Sequence, residues 1–164
     1  MKKTFDGKTI WVTGASSGIG KALALELASY KTHLILSSRK IGELEKVAAE
    51  CRRFGCDCSI YPIDLADPEN VTTTADKVLS EIGNIDILFN NGGISQRSYL
   101  VDTAVEVDRK IMEIDYFSGV ILTKKVLPGM LAKGYGHIIA ISSITGIFGF
   151  PLRSGYAAAK HALH

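Results

Sequence analysis

Short apolar runs alternate with amphipathic stretches along the whole chain. Lys8–Thr13 is predicted as the first strand, and the alanine- and leucine-rich run Gly18–Tyr30 as the first helix. His33–Ser38 follows as a second apolar strand. Glu43–Phe54 has helical periodicity, and Gly55 is placed to end it. Cys58–Ile63 is a third strand, with Pro62 acceptable only near an edge or an end. Asp67-Pro68-Glu69 is a helix start, with an N-cap, a proline at the first position and an acid in the first turn, and the helix runs to about Ile82. Ile85–Asn90 is the fourth strand. Ile111, Ile114, Phe117 and Ile121 recur at helical spacing in a long segment, Val105–Lys133, which Pro128-Gly129 should kink or interrupt. His137–Ser142 is the fifth strand, and a last helix begins near Ser154 and is still running when the chain stops.

Strands apolar on both faces, alternating with helices, imply a parallel sheet covered on both sides. The expected architecture is α/β: a Rossmann-type, doubly wound parallel sheet, with residues 1–164 as a single dinucleotide-binding domain. Ligands of such sheets lie beyond the carboxyl ends of the strands. The Gly14 turn, Arg39, Asp64, Asn90-Asn91 and Ser143 all fall there.

Hydrophobic content of 46% and charged content of 22% are those of an ordinary globular domain. A net charge of +2 gives no electrostatic case for nucleic acid or an anionic membrane, and no run reaches the length of a membrane span. The polar start, Met1–Gly7, carries no secretory pattern, so the expected location is cytoplasmic. Cys51, Cys56 and Cys58 are odd in number and have no neighbouring histidine, so reduced thiols are expected rather than a disulfide framework or a metal site.

Strand, glycine-rich turn and helix place bare N–H groups at a helix N-terminus, an anion site, in Thr13-Gly14-Ala15-Ser16-Ser17-Gly18-Ile19-Gly20. The spacing is not the G-x-G-x-x-G fingerprint, and a tight turn without ligand is the plain alternative. The region that often carries a ribose-binding acid reads Ser37-Ser38-Arg39-Lys40. Arg39 there favours a 2′-phosphate, hence NADP(H) over NAD(H), unless it is simply a solvated loop charge. Asp64 could accept from an adenine amino group or cap the following helix. Asn90-Asn91-Gly92-Gly93 allows close backbone approach, and no alternating partner strand follows to make it a hairpin. Tyr156 and Lys160, four apart, share one helix face, where an ammonium stabilises a phenolate and so suits it to proton transfer. Ser143 follows a strand and could hydrogen-bond a substrate carbonyl.

Together these residues resemble the short-chain dehydrogenase/reductase family. Its Thr-Gly-x3-Gly-x-Gly matches Thr13–Gly20, its Asn-Asn-Ala-Gly matches Asn90–Gly93, its Tyr-x3-Lys matches Tyr156–Lys160, and its active-site serine falls on Ser143. The run Gly149–His164 is also similar to the branch holding the dehydrogenase/reductase member 7-like and 11-beta-hydroxysteroid dehydrogenase-like proteins. The resemblance implies hydride transfer between a nicotinamide and a ketone, aldehyde or secondary alcohol. Tyr156 would act as general acid/base, Ser143 would orient the oxygen, and Lys160 would support the phenolate and the ribose. Candidate cofactor contacts are Gly14, Ser16, Ser17, Gly18, Ile19, Gly20, Ser38, Arg39, Asp64, Leu65, Asn91, Gly92, Tyr156 and Lys160. A homodimer or homotetramer is implied, through the helix after Val105 and the tyrosine helix.

The chain departs from the family in two respects. Asp115 stands where the family has an asparagine thought to relay protons to the lysine, and it joins the candidate catalytic set. The chain also stops four residues after Lys160, so the resemblance implies a C-terminally truncated subunit lacking its last strands and substrate loop. These departures motivate the second reading, a non-catalytic dinucleotide-binding or scaffolding protein.

Overall fold

The computed structural model describes residues 5–164. Met1–Thr4, part of the polar start considered above, lies outside them. The elements in chain order are β1 (Thr9–Thr13), α1 (Gly18–Ala28), β2 (His33–Ser37), α2 (Ile41–Arg52), β3 (Asp57–Ile60), α3 (Pro68–Ile82), β4 (Ile87–Asn90), α4 (Val105–Met112), α5 (Ser118–Lys133), β5 (His137–Ala140) and α6 (Ser154–Ala162). Short 3-10 turns occur at Leu100–Asp102 and Ile144–Gly146.

All strand pairs are parallel, in the order β3-β2-β1-β4-β5. The chain steps outward from β1 to β3, and α3 then returns it to β4 on the other side of β1. That reversal creates a crevice between the carboxyl ends of β1 and β4, the ligand position of an open α/β sheet. The period of two in each strand divides the core. Ile10, Val12, Leu34 and Leu36 point to α1 and α2, where Ala24, Leu27, Leu44 and Val47 meet them. Trp11, Ile35 and Leu88 point the other way, to Val71, Ala75 and Val78 of α3 and Leu122 and Val126 of α5. The Trp11 indole N–H is satisfied by Ser37 Oγ at 2.9 Å.

The Asp67 carboxylate accepts from the Glu69 and Asn70 N–H groups, and Pro68 opens α3 as expected. β3 is an edge strand, and Pro62 lies beyond its end. The flanking Tyr61 and Ile63 N–H groups still bond Leu36 and Ser38 carbonyls, so the missing donor faces outward. Among the described residues no helix is long and apolar enough to cross a membrane. The three cysteines are free and buried. The hydrogen bond from Cys58 to Cys51 pushes the Cys58 thiol up and draws Cys51 down, while burial pushes Cys56 up to about 11.

Two expectations change. The long helix is not continuous, because Glu113–Phe117 forms a π turn between α4 and α5. Pro128 does not interrupt α5, which runs through it to Lys133. Pro128 sits on the exposed face, where solvent can satisfy the carbonyl freed one turn earlier.

Candidate active site

The β1 and β4 ends are tied together by Thr13 and Asn91. The buried Thr13 hydroxyl donates to Phe89 O and accepts from both the Asn91 and Gly92 N–H groups at 3.0 Å. Asn91 Nδ2 donates to Thr13 O at 2.8 Å. This crossing leaves no room for side chains. A Cβ on Gly14 would lie 2.8 Å from Gly92 Cα, and Gly14 has φ +65°. A Cβ on Gly20 would collide with Gly14 O and Asn91 Nδ2. These glycines let α1 begin directly against the end of β1. The N-cap Ser17 makes no side-chain cap and the first turn of α1 holds no acid, so its N–H groups remain available to an anion.

A cleft of about 400 Å³ opens over this turn. Of the sequence candidates it is lined by Gly14, Ser16, Ser17, Ile19, Ser38, Arg39, Asp64, Leu65, Asn91 and Gly92. Gly18 and Gly20 do not line it; they shape the turn beneath. Arg39 faces Asp64 at 3.9 Å, both partly exposed. Asp64 Oδ1 accepts from Ala66 N at 3.0 Å, so this carboxylate closes its own turn, while Asp67 caps α3. The donor set fits a nicotinamide dinucleotide: free helix-end N–H groups for a pyrophosphate, small residues beneath them, and an arginine at the rim.

Ser143, Tyr156, Lys160 and Asp115 do not line the cleft; Asp115 adjoins it through Ile94 and Ile114, which do. Asp115 sits in the π turn with its side chain fully buried. Its Oδ1 accepts from Ile94 N at 2.8 Å. Its Oδ2 lies 3.2 Å from Lys160 Nζ, a close ion pair out of line for a hydrogen bond. Burial pushes the Asp115 carboxyl up, and this outweighs the Ile94 N–H and the Lys160 charge, which pull it down. The Lys160 ammonium donates to Ile141 O at 3.0 Å and lies 5.6 Å from the Tyr156 ring centre. Ser143 Oγ accepts from Thr145 N, capping the 3-10 turn that packs on α6; a Cβ on Gly146 there would lie 2.7 Å from Lys160 O.

Other residues of the site carried no local signal in the sequence. Gln96 Oε1 accepts from Tyr156 N at 3.3 Å, and Arg153 donates to Ser95 Oγ. Both bonds join residues about sixty positions apart, beyond any periodicity. Thr13 could have been read from its place in the glycine motif.

A family described as short chain dehydrogenase matches residues 8–164. Human dehydrogenase/reductase SDR family member 7 is 47% identical over 158 residues, covering 94% of this chain and 47% of that protein. The Drosophila melanogaster dehydrogenase/reductase SDR family protein 7-like is 42% identical over 167 residues, covering 99% and 51%. Among solved structures, L-sorbose reductase from Gluconobacter frateurii, complexed with NADPH and L-sorbose, superposes with a TM-score of 0.94 at 32% identity, over 99% of this chain and 62% of that one. NAD+-bound xylitol dehydrogenase gives 0.91 at 32%, over 98% and 62%. The chain spans about half the length of these curated relatives.

Proposed function

The chain belongs to the short chain dehydrogenase family, and from that premise we propose that it forms the cofactor-binding part of an NADP(H)-dependent oxidoreductase acting on a ketone, aldehyde or secondary alcohol. The observation that carries the cofactor reading is Arg39 at the rim of the cleft, with Ser38 rather than an acid beside it. A guanidinium suits a 2′-phosphate, and a carboxylate there would repel one. Gly14, Ser16, Ser17, Ile19, Asn91 and Gly92 would hold the rest of the dinucleotide. When bound, that dinucleotide supplies or accepts the hydride. The chain's own residues handle the proton. Tyr156 gives its hydroxyl proton to the substrate oxygen in reduction and takes it back in oxidation. Ser143 orients that oxygen, and the Lys160 ammonium favours the phenolate left behind.

Two further parts of the reading rest on single observations. Exposed Phe117 and Leu127 on the π turn and α5 support a homodimer or homotetramer through that face. The three free cysteines support a reducing compartment such as the cytoplasm.

Purified protein, NADPH and a panel of ketones and aldehydes test the proposal. NADPH oxidation should fall by about 100-fold or more in Tyr156→Phe. Arg39→Ala should weaken NADPH binding about tenfold, roughly 1.4 kcal/mol, and leave NADH binding unchanged. The second reading, a dinucleotide-binding protein without turnover, is favoured by the Asp115–Lys160 pair, which offsets the charge that would serve Tyr156. It predicts that saturating NADPH raises the melting temperature while no carbonyl compound is consumed.

A further inference from the structure

Two cations approach the ring of Tyr156, and they are not equivalent. Lys160 Nζ lies 5.6 Å from the ring centre and Arg153 Cζ lies 5.8 Å from it. The Lys160 charge is opposed at 3.2 Å by the fully buried Asp115 carboxylate, which offsets part of its field at the ring. No carboxylate stands within ion-pair distance of Arg153 among the described residues, and its guanidinium donates to the neutral Ser95 Oγ.

The placement of Arg153 is built into the fold. Leu152, just before it, has a φ of +65°, a conformation that a leucine rarely adopts. Its carbonyl accepts from Ser98 N at 3.2 Å, and Gln96 bonds both Tyr156 N and Ser154 Oγ. The loop after β4 thus grips the start of α6 at several points, and Arg153 lies inside that grip, half-buried.

We propose that Arg153 is a positioning residue of this site, one that adds positive charge beside Tyr156 to that of Lys160, part of which Asp115 offsets. The proposal rests on the reading of Tyr156 as the proton donor. The charged groups at the Tyr156 ring are Lys160 from α6 and Arg153 just before it; behind them stand Asp115 of the π turn, paired with Lys160, and Asp108 of α4, whose carboxylate packs against Gly155.

Phenolate formation has its own near-ultraviolet band, readable in the 164-residue chain without cofactor or substrate. The measured quantity is the part of that band lost on Tyr156→Phe at about pH 9, a unit below the ordinary phenol value. Arg153→Met should lower the Tyr156 share about threefold, Arg153→Lys should hold it within about 1.5-fold, and Asp115→Asn should raise it. Far-ultraviolet circular dichroism on each variant establishes that it folds, and Arg153→Gln serves if the methionine variant does not. A share unchanged in Arg153→Met overturns the proposal. So does an Arg153→Lys variant that falls as far as the methionine, because then shape and not charge is at work. The band is read without turnover. A protein that oxidises no NADPH therefore removes the reductase reading and leaves the charge measurement standing.

Discussion

Asp86 and Asp115 are buried carboxylates, each facing a lysine, and their protons are held in opposite ways. Burial pushes both up. At Asp86 it is overcome: Lys133 forms a direct ion pair, Thr9 N donates at 2.9 Å and Lys8 adds a second positive charge, so the carboxyl sits below its ordinary value. At Asp115 one N–H and an off-line lysine do not suffice, and the carboxyl sits above it. Folding therefore makes Asp86 easier to ionise than it is in the unfolded chain, and Asp115 harder. Stability from Asp86 is present above about pH 4 and is lost as pH falls through its lowered value; the contribution of Asp115 runs the other way, falling as pH rises past about 4. Asp86→Ala should cost about 2 kcal/mol at pH 7, or about 5 °C in melting temperature. The gap from the unaltered protein should narrow as pH falls below about 4. A gap of constant size from pH 7 to pH 2 would show that the ion pair contributes nothing and that only packing was lost.

The crossing of the β1 and β4 ends makes two glycines look alike in sequence and differ in consequence. A Cβ on Gly20 meets the backbone carbonyl of Gly14, which cannot yield without undoing the turn. A Cβ on Gly92 meets only the tip of Leu65, a side chain free to change rotamer. Gly20→Ala should cost about 3 kcal/mol or more and abolish NADPH binding, whereas Gly92→Ala should cost about 1 kcal/mol or less and become neutral beside Leu65→Ala. Thermal melts with and without NADPH separate the two; equal losses would mean that Leu65 is locked in place. The glycine turn itself was legible because its demands are local: a strand end, a positive φ and a helix start. The Asp67-Pro68 start of α3 was legible for the same reason. The π turn was not. Ile111, Ile114 and Phe117 keep helical spacing, and one extra residue in the turn leaves no mark on that pattern. Yet it rotates the face that follows, so Phe117 is 47% exposed while Ser118 is buried. The Arg153 contact was hidden too, because a loop far away in the chain creates it.

The two edges of the sheet are guarded unequally. At β3 the following Pro62 removes a donor, and Arg52 Nη2 donates to Cys58 O at 2.6 Å, so a charged side chain covers the strand. Among the described residues nothing comparable covers β5. Ile138 is 38% exposed, and beside it Leu127, Met130, Leu131 and Tyr135 line a groove of about 370 Å³. An unpaired strand with an apolar groove alongside is a template for another strand. Both strands are four residues long, so length does not distinguish the two edges; the difference lies in charge and apolar area. The 164-residue chain should therefore self-associate through β5 as its concentration rises, and Ile138→Lys should reduce the associated fraction at least about threefold by light scattering. Asp57→Asn, which raises the net charge by the same one unit on the β3 edge, should leave association unchanged. Equal effects of the two substitutions would mean that net charge and not the open β5 edge governs association.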